Sequence, residues 1–280
     1  MTDDHPTNSG IDTTIPNVAR VWDYQLGGKD NFEVDRSAAD ALNEACRAVG
    51  APDGRDVARE NRAFIGRAVG YLAGPAGIDQ FVDIGSGLPT QGNVHQIAQK
   101  VNPDAKVVYV DYDPLVLAHG RALLAVNDNT TVITADLRQP DEILGNPDLR
   151  ALIDLSQPIA VLLVAVLHLL PDDDNPAGIV AQLRDALAPG SYLAVTHVTG
   201  DARPFLAAKV ADEFARLRIT TPLIPRTRHQ IGQFFDGFDL VEPGLVFPTQ
   251  WDPERLGDDP GAQWMYAGVG RKPTPTEAAR

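Results

Sequence analysis

Three aspartates each end an apolar, strand-like segment, and their side chains could bind one ligand together. Asp83 ends the segment FVD, Asp111 ends KVVYVD, and Asp136 follows TVITA. The interval between successive aspartates is the length of one helix plus one strand, the repeat of a sheet whose strands run parallel. The sequence therefore predicts that the three carboxylates emerge side by side at one sheet edge.

A glycine-containing turn follows the first of these acids and predicts a nucleotide-type ligand loop. At Gly85 and Gly87 a Cβ would hinder both a positive φ angle and the close approach of backbone to ligand. Thr90 is placed to cap the first amides of the helix that follows.

The acid before this turn distinguishes two ligand classes. A dinucleotide site holds a pyrophosphate on the helix N-terminus, where a carboxylate at Asp83 would be ill placed, and Thr90 replaces the third glycine of that fingerprint. A cation suits Asp83, and S-adenosylmethionine carries an ammonium and a sulfonium but no phosphate. Asp111 could then accept from two ribose hydroxyls, Tyr112 could lie against the adenine, and Asp136 could accept from its amine.

Four motifs along the chain carry a resemblance to a known family. They lie at residues 16–32 (PNVARVWDYQLGGKDNF), 59–64 (RENRAF), 83–90 (DIGSGLPT) and 235–244 (FDGFDLVEPG). With them the chain resembles the class I S-adenosylmethionine-dependent methyltransferases, and more narrowly an actinobacterial group described as a domain of unknown function with a methyltransferase-like fold. The common methyltransferase loop has a further glycine where this chain has Pro89.

The resemblance covers residues 14–271 and implies an α/β fold. The sheet is expected to be doubly wound, mostly parallel and seven-stranded, in the order 3-2-1-4-5-7-6, with the last strand antiparallel. An N-terminal helical cap at 14–74 would precede a Rossmann-like core at 75–271, in a single methyltransferase domain. Polar composition predicts a disordered tail at 1–13 and a frayed tail at 272–280.

The last two strands are predicted at residues 238–247 and 264–269. The expected ligand is S-adenosylmethionine. The residues assigned to its binding are Asp83, Gly85, Ser86, Gly87, Asp111, Tyr112, Asp136, Leu137 and Val166. Its carboxylate would suit a two-pronged guanidinium contact, for which Arg20, Arg59 and Arg62 are the candidates, although each could equally be a surface arginine.

His168 follows the apolar fourth strand and is the candidate catalytic residue. In the resembled enzymes the residues after this strand line the methyl-transfer site, and an imidazole there could act as a general base or orient the substrate. The alternative is a packing histidine among leucines, and His197 is a weaker rival. Positioning alone can also account for most of the rate of such a displacement.

The substrate pocket is predicted in the cap, at Tyr24, Lys29, Asn31 and Phe32. These residues place several hydrogen-bonding and aromatic groups in a short loop, and an N-terminal segment can cover the crevice at the strand ends as a lid. The alternative is that Phe32 anchors the core, Tyr24 is partly buried and Lys29 is solvated.

Composition limits the classes of partner. The formal net charge is −14 with a sequence pI near 4.7, which disfavours nucleic acid because phosphate binding requires lysine and arginine. One cysteine, Cys46, indicates a core thiol in a reducing compartment. No apolar run reaches membrane-spanning length and no signal peptide is evident, so the predicted location is cytoplasmic.

No metal site is predicted. Three consecutive carboxylates at 172–174 cannot all face one ion in regular structure and indicate an exposed turn. The leading hypothesis is methyl transfer from S-adenosylmethionine to a small-molecule substrate, without nucleic acid or membrane partners. One alternative is a cofactor-binding sensor or partner module with no transfer activity, and another is an enzyme that uses the cofactor's cationic field for a different reaction.

Overall fold

The computed structural model describes residues 12–89, 92–123, 127–252 and 261–274. The predicted capping residue Thr90 and most of the predicted tails at 1–13 and 272–280 lie outside these described residues.

A seven-stranded sheet organises the chain, in the order β3-β2-β1-β4-β5-β7-β6. The first five strands are parallel, whereas β7 is antiparallel to both β5 and β6. The predicted strand order and antiparallel edge are confirmed. The strands are β1 Gln80–Ile84, β2 Lys106–Asp111, β3 Thr130–Thr134, β4 Ala160–Val164, β5 Tyr192–Val198, β6 Asp239–Leu240 and β7 Met265–Arg271.

Three helices precede the sheet and form the cap: α1 Val18–Gln25, α2 Glu33–Ala48 and α3 Gly54–Ala73. Asn17 and Asp53 begin α1 and α3 by accepting backbone N–H groups of the first turn, as asparagine and aspartate do at N-caps. The other helices are α4 Val94–Val101, α5 Pro114–Leu123, α6 Pro140–Gly145, α7 Pro147–Leu152, α8 Pro176–Ala186, α9 Pro204–Arg216 and α10 Arg228–Gly232.

Buried apolar residues cover both faces of the sheet, because successive side chains of a strand point to opposite faces. Val82 and Val108 belong to the cluster formed with α6, α7 and α8. Phe81 and Val107 belong to the cluster formed with α3 and α4. Burial on both faces explains why the central strands read as continuous apolar runs.

A third apolar cluster joins the cap to the core. It contains Leu42 of α2, Val57 of α3, Phe214 of α9, Val198 at the end of β5 and Trp264 before β7. The cap is thus held by packing across the carboxyl end of the sheet.

The prediction of one continuous strand at 238–247 is wrong, because β6 contains only two residues. Pro243 lacks an N–H to donate and Gly244 has φ +89°, so the backbone turns away from the ladder. Pairing resumes at Val246, which exchanges hydrogen bonds with Ala267.

Within the described residues, no helix has both the length and the apolar character of a membrane span.

Candidate active site

A cavity of about 510 Å³ lies at the carboxyl ends of the parallel strands, beneath the cap. Asp83 and Asp111 reach it because β1 and β2 pair in register, and Asp136 reaches it just beyond β3. The sheet therefore brings the three predicted acids together, as the regular interval between them suggested.

The glycine loop is an open cradle on the cavity wall. Gly85 and Gly87 have φ +73° and +64°, a region that glycine adopts without steric cost. A Cβ on Gly85 would lie 2.5 Å from Cγ2 of Val166, whereas one on Gly87 would meet nothing within 4 Å. The Ser86 hydroxyl is buried and has no hydrogen-bond partner among the residues that the structure describes. The space beside Gly87 and the unpaired hydroxyl fit a polar ligand lying along the loop.

Asp111 is fixed by the backbone around it. Its Oδ2 accepts from Gly87 N at 2.9 Å and its Oδ1 from Asp113 N at 3.0 Å. Each carboxylate oxygen keeps a further lone pair, so Asp111 can still accept from two hydroxyl groups. Burial raises the pKa of this carboxyl.

Asp83 lies on the cavity floor beside Arg62. Removal from water raises the pKa of Asp83 to about 7; Arg62 opposes the rise and the charge of Asp111 adds to it. Burial also lowers the pKa of the Arg62 guanidinium. A ligand ammonium beside Asp83 would favour its ionised form.

Asp136 forms direct hydrogen bonds with a neighbouring arginine, Arg138. Nε of Arg138 donates to both its oxygens at 3.0 Å, and the Arg138 backbone N–H donates to Oδ1 at 2.9 Å. These hydrogen bonds lower the pKa of Asp136. Leu137 is buried between the two, and Tyr112 lines the same part of the cavity with half of its surface exposed.

The turn after β4 is the other wall of this part of the cavity. Ala165 has φ +55°, a left-handed conformation that is uncommon for residues other than glycine. Its N–H donates to the Thr196 hydroxyl at 2.9 Å. Thr196 thereby holds the turn that presents Val166 to the glycine loop.

His168 lines the cavity and is buried, but its surroundings do not suit a general base. Burial and Arg226 lower the pKa of His168 to about 3, so the ring is neutral at pH 7. Its Nδ1 lies 3.5 Å from Val198 N, which can only donate, so the ring proton sits on Nε2. Of the two predicted roles, the geometry favours hydrogen-bond donation over proton abstraction.

His197 is occupied by protein contacts. Its Nε2 accepts from Arg226 at 3.0 Å, because a guanidinium can only donate, and Nδ1–H therefore donates to Val198 O at 2.7 Å. Arg226 also donates to Leu167 O and Leu170 O. This buried arginine fixes the segment that carries His168. No sequence pattern pointed to it, because its partners are distant in the chain.

The aspartate run at 172–174 forms a short 3₁₀ turn after β4. Asp172 accepts from Arg226 at 2.6 Å, and no group of potential metal ligands exists among the residues described by the structure.

None of the four predicted pocket residues Tyr24, Lys29, Asn31 and Phe32 is among the residues that line the cavity, and their role in a substrate pocket stays a prediction. Asn31 donates to Asp23 at 2.8 Å, the Tyr24 hydroxyl lies against Asp40, and Lys29 is exposed. Tyr24 lies on a face of α1 other than the one that lines the cavity, and Lys29, Asn31 and Phe32 lie in the loop between α1 and α2.

Phe32 is also exposed and lies under the guanidinium of Arg20. Arg20 pairs with buried Asp35 at 2.8 Å, and Arg59 pairs with Asp56 on the surface. Of the three candidate arginines, only Arg62 lines the cavity.

The cap covers the cavity with residues that the sequence analysis missed. Asn17 donates to Asp113 at 2.6 Å, which ties the start of α1 to the end of β2. Asn61 of α3 accepts from the Thr196 hydroxyl at 2.6 Å. Its place inside the RENRAF motif, next to Arg62, was the one available signal.

Apolar side chains form the cavity wall farthest from the acids, a region called the acceptor chamber. It is defined by Trp22, Leu42, Val57, Val210, Phe214 and Trp264.

Comparison with known proteins gives one family. The model of a family described as S-adenosyl methyltransferase matches residues 4–273. No curated protein matches the chain significantly.

Two solved structures resemble the whole chain. A protein from Thermobifida fusca YX, provisionally named a methyltransferase, is 46% identical with a TM-score of 0.84, over 98% of this chain and 100% of its own. A DUF574 family protein from Streptomyces avermitilis is 40% identical with a TM-score of 0.85, over 94% of this chain and 99% of its own.

Proposed function

The chain belongs to the S-adenosyl methyltransferase family, and from that premise we propose that it transfers the methyl group to a small-molecule acceptor. The supporting observation is the cavity itself. One continuous space of about 510 Å³ joins the acidic strand ends to the apolar acceptor chamber, within the usual range for small-molecule sites.

The residues at the acidic end fit S-adenosylmethionine, the cofactor of this family. When bound, it supplies an electrophilic methyl group on a sulfonium. Asp111 would hold the ribose hydroxyls, Asp83 the ammonium, and the loop at Gly85 and Gly87 gives the backbone close access to the ligand. Tyr112 offers an exposed ring for the adenine.

The cap supports a small acceptor over a macromolecular one. Asn17 bonds to Asp113, and α1 to α3 wall the chamber, so an acceptor has to fit beneath the cap. A net charge of −14 disfavours a nucleic-acid substrate. A cytoplasmic location stays a prediction from composition.

The chain's own groups would act by positioning. Arg226 and Thr196 fix the two segments after β4 that face the acceptor, and the neutral His168 can donate a hydrogen bond. Holding nucleophile and methyl group in near-attack geometry accounts for much of the barrier in such displacements.

Calorimetric titration with S-adenosylmethionine, S-adenosylhomocysteine and NAD tests the cofactor. We expect binding of the first two and none of NAD. A methyl-transfer assay with isotopically labelled cofactor and a library of small acceptors then tests the reaction. Cofactor binding with no transfer to any acceptor, together with ligand-dependent capture of a partner protein, would favour a sensor instead.

A further inference from the structure

The cavity is lined by hydrogen-bonding groups that have no partner among the residues described by the structure. The charged residues lining the cavity cluster at the strand ends, apart from Asp23, whose carboxylate accepts from Asp30 N and Asn31 Nδ2. The Gln25 and Asn43 amides pair with each other. A molecule in the chamber therefore meets apolar walls and a few neutral polar groups.

Asn61 presents one hydrogen-bond donor to the cavity. It is 3% exposed, and its Oδ1 accepts from the Thr196 hydroxyl, which itself accepts from Ala165 N. Since Thr196 has a single proton to give, this relay fixes the amide with Nδ2 directed away from the sheet. Nδ2 has no hydrogen-bond partner in the part of the chain that the structure describes.

His168 presents the second donor. It is also 3% exposed and lines the cavity, and the contact with Val198 N leaves the proton on Nε2. Nε2 has no partner among the residues that the structure describes. Both residues line the cavity, and neither donor has an acceptor among the residues that the structure describes, which favours a ligand that supplies lone pairs.

We propose that the acceptor is an apolar hydroxy compound of the phenol or enol class, bound through its oxygen to Asn61 Nδ2 and His168 Nε2–H. This inference rests on the proposed function. An ammonium would meet two N–H groups, and Asp23, the carboxylate that lines the cavity away from the strand ends, already accepts from Asp30 N and Asn31 Nδ2, whereas an oxygen lone pair matches both donors.

Among hydroxy compounds, the proposed acceptor is one with an acidic hydroxyl group, because His168 is not placed to act as a base. His168 lines the cavity, and its Nδ1 is taken by the Val198 N–H, so the ring offers Nε2–H as a donor rather than an acceptor. Phenols and enols ionise without a strong base, and their oxyanions bind N–H donors more strongly than neutral hydroxyls do.

Three naphthalene probes test the proposal by calorimetry on protein loaded with S-adenosylhomocysteine, and again on unloaded protein. We expect 2-naphthol to bind about tenfold more tightly than naphthalene, and 2-naphthylmethylammonium to bind least. Tighter binding of the ammonium, or equal binding of naphthol and naphthalene, would overturn the proposal. Failure of S-adenosylhomocysteine to bind would instead reject the proposed function. The order of probe affinities on unloaded protein would then still test the proposed preference of the chamber for an oxygen ligand.

Asn61→Asp gives the sharper test, because the aspartate can still accept from Thr196 but has no N–H to offer. We expect 2-naphthol to bind no more tightly than naphthalene, and the affinity for 2-naphthylmethylammonium to rise at least tenfold. The affinity for S-adenosylhomocysteine should be unchanged. Asn146→Asp makes the same chemical change at the N-cap of α7, remote from the cavity, and should alter neither.

His168→Phe removes the second donor and replaces the imidazole with a slightly larger aromatic ring. Naphthol affinity should fall about three- to tenfold while naphthalene affinity is retained. Either variant could instead lower the affinity for S-adenosylhomocysteine and leave the order of probe affinities unchanged. The two donors would then bind the cofactor, and the proposed acceptor class would be wrong.

Discussion

The two ends of the cavity are built in opposite ways. At the strand ends, Asp83, Asp111 and Asp136 are carboxylates held by backbone amides or arginines on consecutive parallel strands. At the acceptor chamber the walls are apolar and come from the cap, from α9 and from the segment before β7. One end binds by charge on a rigid sheet, whereas the other selects by shape and by a few neutral donors.

This contrast separates two kinds of mutational effect. Changes in the chamber should alter stability and acceptor choice, because its residues also hold the cap on the core. Changes at the strand ends should alter cofactor affinity, because those residues contribute little apolar packing.

Phe214→Ala should give the largest effect, on stability. Removing this buried ring from the chamber wall should lower the free energy of unfolding by about 3 kcal/mol, measured by denaturant titration. Phe205→Ala, at a 69% exposed site on the same helix, is the matched control and should be nearly neutral. Loss of cofactor affinity in folded Phe214→Ala would show that residues of the acceptor chamber also affect cofactor binding, contrary to this prediction.

Gly85→Ala should damage the cradle. The new Cβ would adopt a positive φ and contact Val166, costing roughly 2–3 kcal/mol, and we expect at least tenfold weaker binding of S-adenosylmethionine. Gly92→Ala is the control, because its φ is +74° but no atom lies within 4 Å of the added Cβ. Equal effects of both changes on affinity would show that the contact with Val166 is irrelevant.

Asp111→Asn should weaken the cofactor by about 1–2 kcal/mol, because one of its two accepting oxygens becomes a donor facing a backbone N–H or a ribose hydroxyl. Calorimetry measures the change. Asp104→Asn removes an exposed negative charge before the same strand and controls for net charge. Unchanged affinity in Asp111→Asn would remove the ribose assignment.

Asp83 predicts a pH dependence of binding and of stability. Its pKa is raised from 3.8 to about 7, so the free protein carries a growing fraction of protonated Asp83 as the pH falls below 7. S-adenosylmethionine should therefore bind more weakly at pH 6 than at pH 8. Because the folded state favours the protonated form, Asp83 contributes stability that is present at low pH and lost as the pH rises through 7.

Asp83→Asn separates the contribution of Asp83 ionisation from the contributions of other titrating groups. Relative to this variant, the unliganded parent protein should lose stability between pH 5 and pH 8, as followed by thermal unfolding. The variant should also show a flatter pH profile of cofactor affinity. Parallel pH profiles of the two proteins would mean that Asp83 titrates near its ordinary pKa.

The acidic end could be predicted because its information is local in the sequence. Strand, turn and helix recur with a regular period, and each aspartate directly follows its own apolar strand, so the sheet needed only parallel order to bring them together. Family resemblance supplied that order, which spacing alone leaves open.

The acceptor chamber could not be predicted in the same way. The cap motif suggested Tyr24, Lys29, Asn31 and Phe32, but the packing of α1 and of the loop after it decided which cap residues line the cavity. Asn61 bonds to a residue 135 positions away, and Arg226 orders a loop more than 50 positions earlier in the chain.

The sequence by itself determined the strand-end acids, the glycine loop and the class of cofactor. Each of these depends on neighbouring residues and on the strand–turn–helix repeat, which can be read directly from the sequence. Only the tertiary structure decided which histidine nitrogen carries a proton, which amide nitrogen is unpaired and which helix face lines the cavity. Those features depend on hydrogen bonds and packing between distant segments, whose partners are fixed only when the chain folds.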